Sequence, residues 1–435
     1  MPGVHGSALD RGGVGGAAAG DLRALGGGHG RGGKLAAVSR RAKLPPVRPE
    51  VERITDDVIA VRRDLHRHPE LSWKEERTQR VILEELGKLD LEDVRPIANT
   101  GATALVKGGK KGPCVLWRAD IDALPVPEKS GVPFASENEG VMHACGHDTH
   151  AAIGLGLAQI ASEARESLAG SVRFVFQPAE EASGGAALCI QEGILKKPDV
   201  DRCLGLHISA DVPVGEINVA PGPFFASPTS LRITITGRGG HAASPHQSVD
   251  SVVVAAHVIT ALQTVVSRSL PPLETAVLTI GKLEAGFRGN VIAESAELRG
   301  TIRTYSDRVR DRMVAKVEEV VAGVCAAFGA TAEIKHKTSC PPLVNDEAVT
   351  AFVEAEGERY FGVPARVSRG MGAEDMAYFL EERPGCYFWL GARNEVNGAA
   401  GRHHDPGFII DERAIPLGME FGMRLIEGSL VELGG

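Results

Sequence analysis

Three stretches of this chain read as buried strands, and each runs straight into charged or imidazole side chains. CVLWR (114–118) leads to Asp120 and Asp122, SVRFVFQ (171–177) to Pro178, Glu180 and Glu181, and CLGLHIS (203–209) carries His207 near its end. Helical patterns at DTHAAIGLGLAQIASEA and GGAALCIQEGIL alternate with these strands. Such alternation implies an α/β unit with a largely parallel sheet, which gathers its ligands at the carboxyl ends of strands. Each polar cluster named here falls at such an end. Two amphipathic patterns, VERITDDVIAVRRDLHRHPEL and ERTQRVILEELGKL, predict a pair of helices before the first strand.

Near Pro228 the rhythm changes. TSLRITITGRGG alternates as a strand, SVDSVVVAAHVITALQTVVSR is an amphipathic helix, and ETAVLTIGKLEA and SAELRGTIRTY are two more strands. SDRVRDRMVAKVEEVVAGVCAAFG is a second helix and ATAEIKHKTS a last strand. The order β-α-β-β-α-β is the ferredoxin-like split motif, a complete unit in itself. DEAVTAFVEAEGERYFG, GCYFWLGA and DERAIPLGMEFGMRLIEGSLVEL then resume the first pattern as helix, strand and helix. The expected fold is therefore α/β. A mixed, largely parallel-sheet catalytic domain (47–225 and 339–435) carries an inserted α+β ferredoxin-like domain (226–338). A chain of 435 residues is long enough for both. Residues 1–46, with GGVGGAAAG and GGGHGRGG, read as a flexible Gly/Ala/Arg-rich tail in which His5 and His29 are solvated.

A net charge of -8 gives no basic footprint for nucleic acid or an acidic membrane, and no run approaches eighteen consecutive apolar residues. A small-molecule or peptide partner is expected. Seven scattered cysteines, an odd number, argue against a secreted disulfide framework and for a reducing cytoplasm.

HACGHDTHAA (143–152) places Cys145 and His147 two residues apart, before a helix that Asp148 or Thr149 could cap. A helix N-terminus lowers a thiol's pKa, which suits a nucleophile and a metal ligand equally. A small core residue with polar neighbours is the third reading. Distant residues discriminate among them, because a dinuclear metal site needs further anionic or imidazole ligands at strand ends. The chain has Glu180 and Glu181, His207, and His403 and His404 in GRHHDPGF. Adjacent glutamates allow one to bind metal while its neighbour takes a proton from water. Taken singly, each signal has an ordinary explanation: a solvated Glu pair, a hydrogen-bonded core His207, a polar 403–404 loop, and turn-capping Asp120 and Asp122. His66 and His68 fit a helix end, where the dipole stabilises them, and His150 is at most a supporting residue, as is His143. A non-catalytic metal-dependent binding protein would be expected to lack the base.

The stretches DLHRHPELSWKE, RADIDALPV, MHACGHDTHAA, VFQPAEEASGGA, GLHISADVPVGEI, GRGGHAASPHQSVD, ELRGTIRTY, MGAEDMAYF and HHDPGFIIDERAIPLG, in order from about residue 50, resemble the M20 metallopeptidases. The resemblance is to the amidohydrolase subgroup with hippurate hydrolases, N-acyl-amino-acid deacylases, auxin-conjugate hydrolases and some metal-dependent carboxypeptidases. It implies two divalent ions per subunit, zinc or manganese first and cobalt or nickel as alternatives. The ions would be held by Cys145, His147, Glu181, His207 and His404, with Glu180 as general base. Asp122 resembles the acid that orients a ligand. His241 of GGHAA matches a histidine that steadies the oxyanion, usually in a neighbouring subunit, which implies a homodimer through the inserted lid domain. Asn290 matches an asparagine near the substrate; its motif GNVIAES has Ala293 where proline is usual, and Arg288 before it is a candidate for altering substrate preference. The implied reaction is hydrolysis of an N-acyl amino acid's amide. A carboxypeptidase or dipeptidase acting on short peptides is the alternative at the same site, and a thiol hydrolase using Cys145 and His147 the more distant one.

Overall fold

Apolar residues at helical spacing give helix α1, Pro49–Arg67, which turns Val51, Ile54, Val58 and Leu65 inward, and α2, Glu76–Leu86, which buries Ile82 and Leu86. The computed structural model describes residues 44–399 and 401–435. Most of the expected tail, with His5 and His29, lies outside the described residues. Leu44 already packs against the main core, three residues before the expected start at 47.

A hairpin of β1 (Glu92–Ile97) and β2 (Gly101–Lys107) follows, then β3 (Lys110–Asp120), α3 (His147–Glu163), β4 (Ala169–Gln177), α4 (Gly185–Gln191) and β5 (Arg202–Pro213). Short strands β6 (Ile217–Asn218) and β7 (Gly222–Phe225) end this part. After the intervening unit come β14 (Leu343–Asn345), α7 (Glu347–Phe361), α8 (Ala377–Glu382), β15 (Gly385–Arg393) and α9 (Ala414–Gly434). Seven strands form one sheet in the order β1-β2-β4-β3-β5-β15-β6. The sheet is mixed: its four central strands are parallel, and the pairings outside them are antiparallel. The connections explain this, because helical crossovers return the chain in parallel while the turn at Ala98–Thr100 folds β2 back on β1. Alternation divides the two faces. Val115, Trp117 and Ala119 of β3 join the core with α1, α3 and α9, while Cys114 and Leu116 face α4 and α8.

The intervening unit contains β8 (Ser227–Thr236), β9 (Gly240–His241), α5 (Ser251–Ser269), β10 (Ala276–Ala285), β11 (Val291–Ile292), β12 (Ser295–Thr304), α6 (Asp307–Phe328) and β13 (Thr331–Thr338). Its four long strands run antiparallel in the order β10-β12-β8-β13, the arrangement that β-α-β-β-α-β connectivity produces. Ile233, Val258, Leu298 and Val317 belong to a core of its own. Helix α5 has an 18-residue stretch of mean hydropathy 1.4, so it is long and apolar enough by composition to cross a membrane. Its face with Val254, Ala255, Val258, Leu262 and Val265 packs within this unit instead.

Candidate metal centre

β3 pairs with β5 only as far as Arg118↔Gly205, whereas β15 stays paired through Trp389↔His207. Beyond Gly205 the β3 side of β5 is free of strand pairing, and His207 lies there. β5 runs on to Pro213, so His207 is inside the strand rather than at its end, and the site forms where β3 stops. Cys145 and His147 arrive at the start of α3. The residue between them, Gly146, has φ 88°, and a Cβ there would stand 2.4 Å from Ile208; only glycine permits this approach. No side chain caps α3. Asp148 is instead buried against Arg62 Nε at 2.6 Å and His66 Nδ1 at 2.8 Å, tying the ligand-bearing helix to α1.

Donor atoms of Cys145, His147 and His207 lie within 4.8 Å of one another, as do those of Cys145, Glu181 and His404, and of His147, Glu180 and Glu181. Cys145 Sγ is 3.4 Å from His207 Nε2, and His404 Nε2 is 3.3 Å from Glu181 Oε1. His147 Nδ1 meets Asp122 Oδ1 at 3.2 Å, and His207 Nδ1 meets its neighbour's carbonyl at 2.8 Å. Each ring therefore turns Nε2 toward the cluster, the orientation that supporting hydrogen bonds give metal-binding imidazoles. Among the described residues, His147 Nε2 is buried without a hydrogen-bond partner, and Glu181 Oε1, equally buried, has only the His404 ring nearby. Cations held by this thiol, imidazole and carboxylate set satisfy both atoms, and the donors suit zinc and related divalent metals.

The electrostatics favour a ligand over a nucleophile. Burial, and then Glu181 beside it, push the Cys145 thiol up against the lowering pull of His147 and His404. A thiolate here needs a cation. Hydrogen bonding to Cys145 and Glu181 raises His404 to about 10, whereas burial and neighbouring imidazoles hold His207 well below its usual range. Burial, followed by the repulsion of Glu374, Glu181 and Asp375, pushes Glu180 well up, the direction that makes a carboxylate a stronger base. Burial works against the charge on Asp122, but hydrogen bonds with His147 and Ser72 win and keep its pKa low.

Asp122 does more than orient His147. Its two oxygens accept the backbone N–H groups of Glu180 (3.1 Å) and Glu181 (3.0 Å). His150 is committed elsewhere: its Nε2 accepts the Ile208 N–H at 2.8 Å, so Nδ1 carries the proton donated to Asp120 at 2.5 Å. His143 is buried with both ring nitrogens unpartnered among the described residues, and burial lowers it to about 4.

Sequence reasoning left three participants without a role. His403 Nδ1 is 3.8 Å from Cys145 Sγ, and its ring packs against His207. Burial takes it down to about 3, so it is neutral there. Glu374 and Asp375, in the matched stretch MGAEDMAYF, sit in the interior beside Glu180. Both bind the fully buried Arg118, at 2.8 and 3.0 Å, with Asp120 at 2.6 Å on the same guanidinium.

His241 and Asn290 stand apart. β9 pairs with β11 through Val291↔His241, and Ala242 N–H donates to the Asn290 carbonyl, so the two residues share one short ribbon. Both are exposed, and among the described residues no hydrogen bond joins either to the cluster. Ala293 is buried, and its carbonyl accepts the Ser251 hydroxyl at 2.8 Å, so the loop is anchored to α5 without the expected proline. A 660 Å³ hollow beside the ribbon is lined by Phe287, Arg288 and Val291 among others.

The family model described as Peptidase family M20/M25/M40 matches residues 116–428. The chain is 40% identical over 359 residues to an N-acetyl-L-cysteine deacetylase of Bacillus subtilis, covering 82% of this chain and 84% of that protein. It is 37% identical over 373 residues to thermostable carboxypeptidase 2 of Saccharolobus solfataricus, covering 85% and 94%. A Bacillus subtilis crystal structure described as a dinuclear metal binding peptidase from M20 family aligns with a TM-score of 0.74 at 34% identity, covering 87% of this chain and 99% of that one.

Proposed function

The chain belongs to peptidase family M20/M25/M40 and is a metal-dependent hydrolase of that family; from this we propose that it cleaves the amide bond of N-acyl amino acids. The observation that carries the proposal is the placement of Glu180 and Glu181. Both backbone N–H groups are fixed on Asp122, Glu181 joins the group with Cys145 and His404, and Glu180 stands beside it with a raised pKa.

Two divalent ions held by Cys145, His147, Glu181, His207 and His404 would supply positive charge to polarise the scissile carbonyl and acidify water. Glu180 takes the attacking water's proton and delivers it to the leaving amine, yielding a carboxylic acid and an amino acid. His241, brought by a second subunit, donates to the oxyanion, with Asn290 beside it against the substrate. Exposure of the β9–β11 ribbon supports delivery between subunits and a homodimer. The seven free thiols, all buried, support a reducing, cytoplasmic setting.

A panel of N-acetyl and N-benzoyl amino acids and dipeptides, run with and without added zinc or manganese, tests the reading. Metal-dependent release of amino acid from the acylated substrates is expected. Turnover confined to dipeptides would replace the reading with a peptidase, as the carboxypeptidase relative suggests. Chelator-insensitive activity abolished by iodoacetamide would return Cys145 to a nucleophile's role.

A further inference from the structure

We propose that Glu75 and Asp375 are positioning residues that hold the loop carrying Glu180 from opposite ends, an inference that rests on Glu180 acting as the base. The segment Pro178–Gly184 connects β4 to α4 without regular structure. It bends through Ala179 at φ 53°, Ser183 at φ 54° and Gly184 at φ 123°. Such a path leaves its N–H groups with no strand or helix partner, and in a buried site each must find an acceptor.

Three carboxylates from separate parts of the chain supply them. Glu75 Oε1 accepts the Ala179 N–H at 2.8 Å, before the glutamates. Asp122 accepts those of Glu180 and Glu181. Asp375 Oδ2 accepts the N–H groups of Gly184 at 3.4 Å and Ala186 at 3.2 Å, after them. Ser183 N–H closes the bend on the Glu180 carbonyl at 2.9 Å. The loop also comes back on itself so tightly that a Cβ on Gly185 would stand 1.6 Å from the Pro178 oxygen.

Both anchors are themselves fastened. Glu75 is fully buried and accepts the Thr100 hydroxyl at 2.6 Å. Asp375 is buried and accepts Gln177 Nε2 at 2.7 Å and Arg118 Nη2 at 3.0 Å. Every contact named for the two carboxylates is with a donor, and each carboxylate uses both of its oxygens, one on the loop and the other on its own anchor. A base acts only within hydrogen-bond reach of the proton it takes, so small displacements of this loop carry directly into turnover. Either anchor replaced by its amide exchanges an acceptor oxygen for an NH2 group, and the loop shifts.

The test uses the full chain with Asp375→Asn, Glu75→Gln, Glu180→Gln and, as a stability control, Leu430→Ala. Leu430 is a buried core residue of α9. Loaded with zinc or manganese, both anchor variants are expected to lose about 10- to 100-fold in kcat, with KM changed by about twofold or less. Amide hydrogen exchange should quicken at Ala179 in Glu75→Gln and at Gly184 and Ala186 in Asp375→Asn, while core strands stay protected. Leu430→Ala should lose stability with kcat per folded molecule unchanged. Folded anchor variants that keep the parent's kcat, or that exchange faster everywhere, overturn the inference. If Asp375→Asn does not fold because Arg118 loses a partner, Glu75→Gln decides alone. A dead Glu180→Gln beside fully active anchor variants sinks only this inference, whereas an active Glu180→Gln sinks the reading beneath it as well.

Discussion

Around Cys145 nearly every polar side chain has a partner inside the same chain: His147 on Asp122, His150 on Asp120, and Arg118 among three carboxylates. On the β9–β11 ribbon, among the described residues, His241 accepts only a local N–H, from Ala243 two residues on, and Asn290 lies beside it in the open. Folding holds the first region's side chains in place on one another, while the second stays exposed. Preorganised donors and acceptors lower the cost of reaching a transition state because they need not rearrange. An exposed imidazole gains that advantage only when a second surface closes over it.

The largest test of this contrast is Glu180→Gln, expected to cut kcat by about 10²- to 10⁴-fold with metal content, measured by atomic emission, unchanged. Retained activity would remove the base from the first region. His241→Ala comes next, with a loss of about 10²- to 10³-fold and no loss of thermal stability. Mixing it with Glu180→Gln should restore turnover, because one site in a mixed dimer keeps an intact Glu180 and receives an intact His241. No restoration in a chain that light scattering shows to be dimeric would confine His241 to its own subunit.

A smaller effect concerns stability far from either region. Glu420 accepts Arg48 Nε at 3.0 Å and Arg424 Nε at 2.7 Å. Burial works against its charge, but the hydrogen bonds and positive charge of Arg48, and then the charge of Arg424, win and keep its pKa low. The resulting stabilisation is fully present above the unfolded value of about 4.3 and is lost as pH falls through the lower folded value. Glu420→Gln should cost about 2 kcal/mol at pH 7, and the difference between variant and parent melting temperatures should shrink below about pH 4. A gap that stays constant with pH would show that packing, not charge, is at work. Smallest is Arg288→Ala, on the exposed side of the comparison: KM for different acyl amino acids should change by about 3- to 10-fold with stability untouched. Identical KM values across the panel would leave Arg288 without a part in selectivity.

Much of this was legible in the sequence because it is local or periodic. CVLWR is a continuous apolar run and reads as a buried strand, and the structure indeed covers both its faces, Val115 and Trp117 on one side and Cys114 and Leu116 on the other. The polar residues after β3 and β4 follow from where such strands end. The network on Arg118 was not legible, since its partners Glu374 and Asp375 lie more than 250 residues away and no period links them. Strand β1 was missed because EDVRPI is mostly exposed or half-buried and carries no apolar alternation. The upward push on the Cys145 thiol was not legible for a related reason. Its place at a helix start is a local property, while the burial and the Glu181 charge that push it up come from the assembled fold.

The β-α-β-β-α-β unit enters on β8 and leaves on β13, and these strands lie side by side, with Thr229 opposite Thr338. Because the unit also has its own core, the two chain ends left by its excision could be rejoined by a tight turn, leaving the seven-stranded sheet without a cut. Such a shortened protein would keep the full ligand cluster and lose the ribbon with His241. It would allow ion uptake to be titrated with the ribbon gone, separating what it takes to load the site from what the ribbon adds.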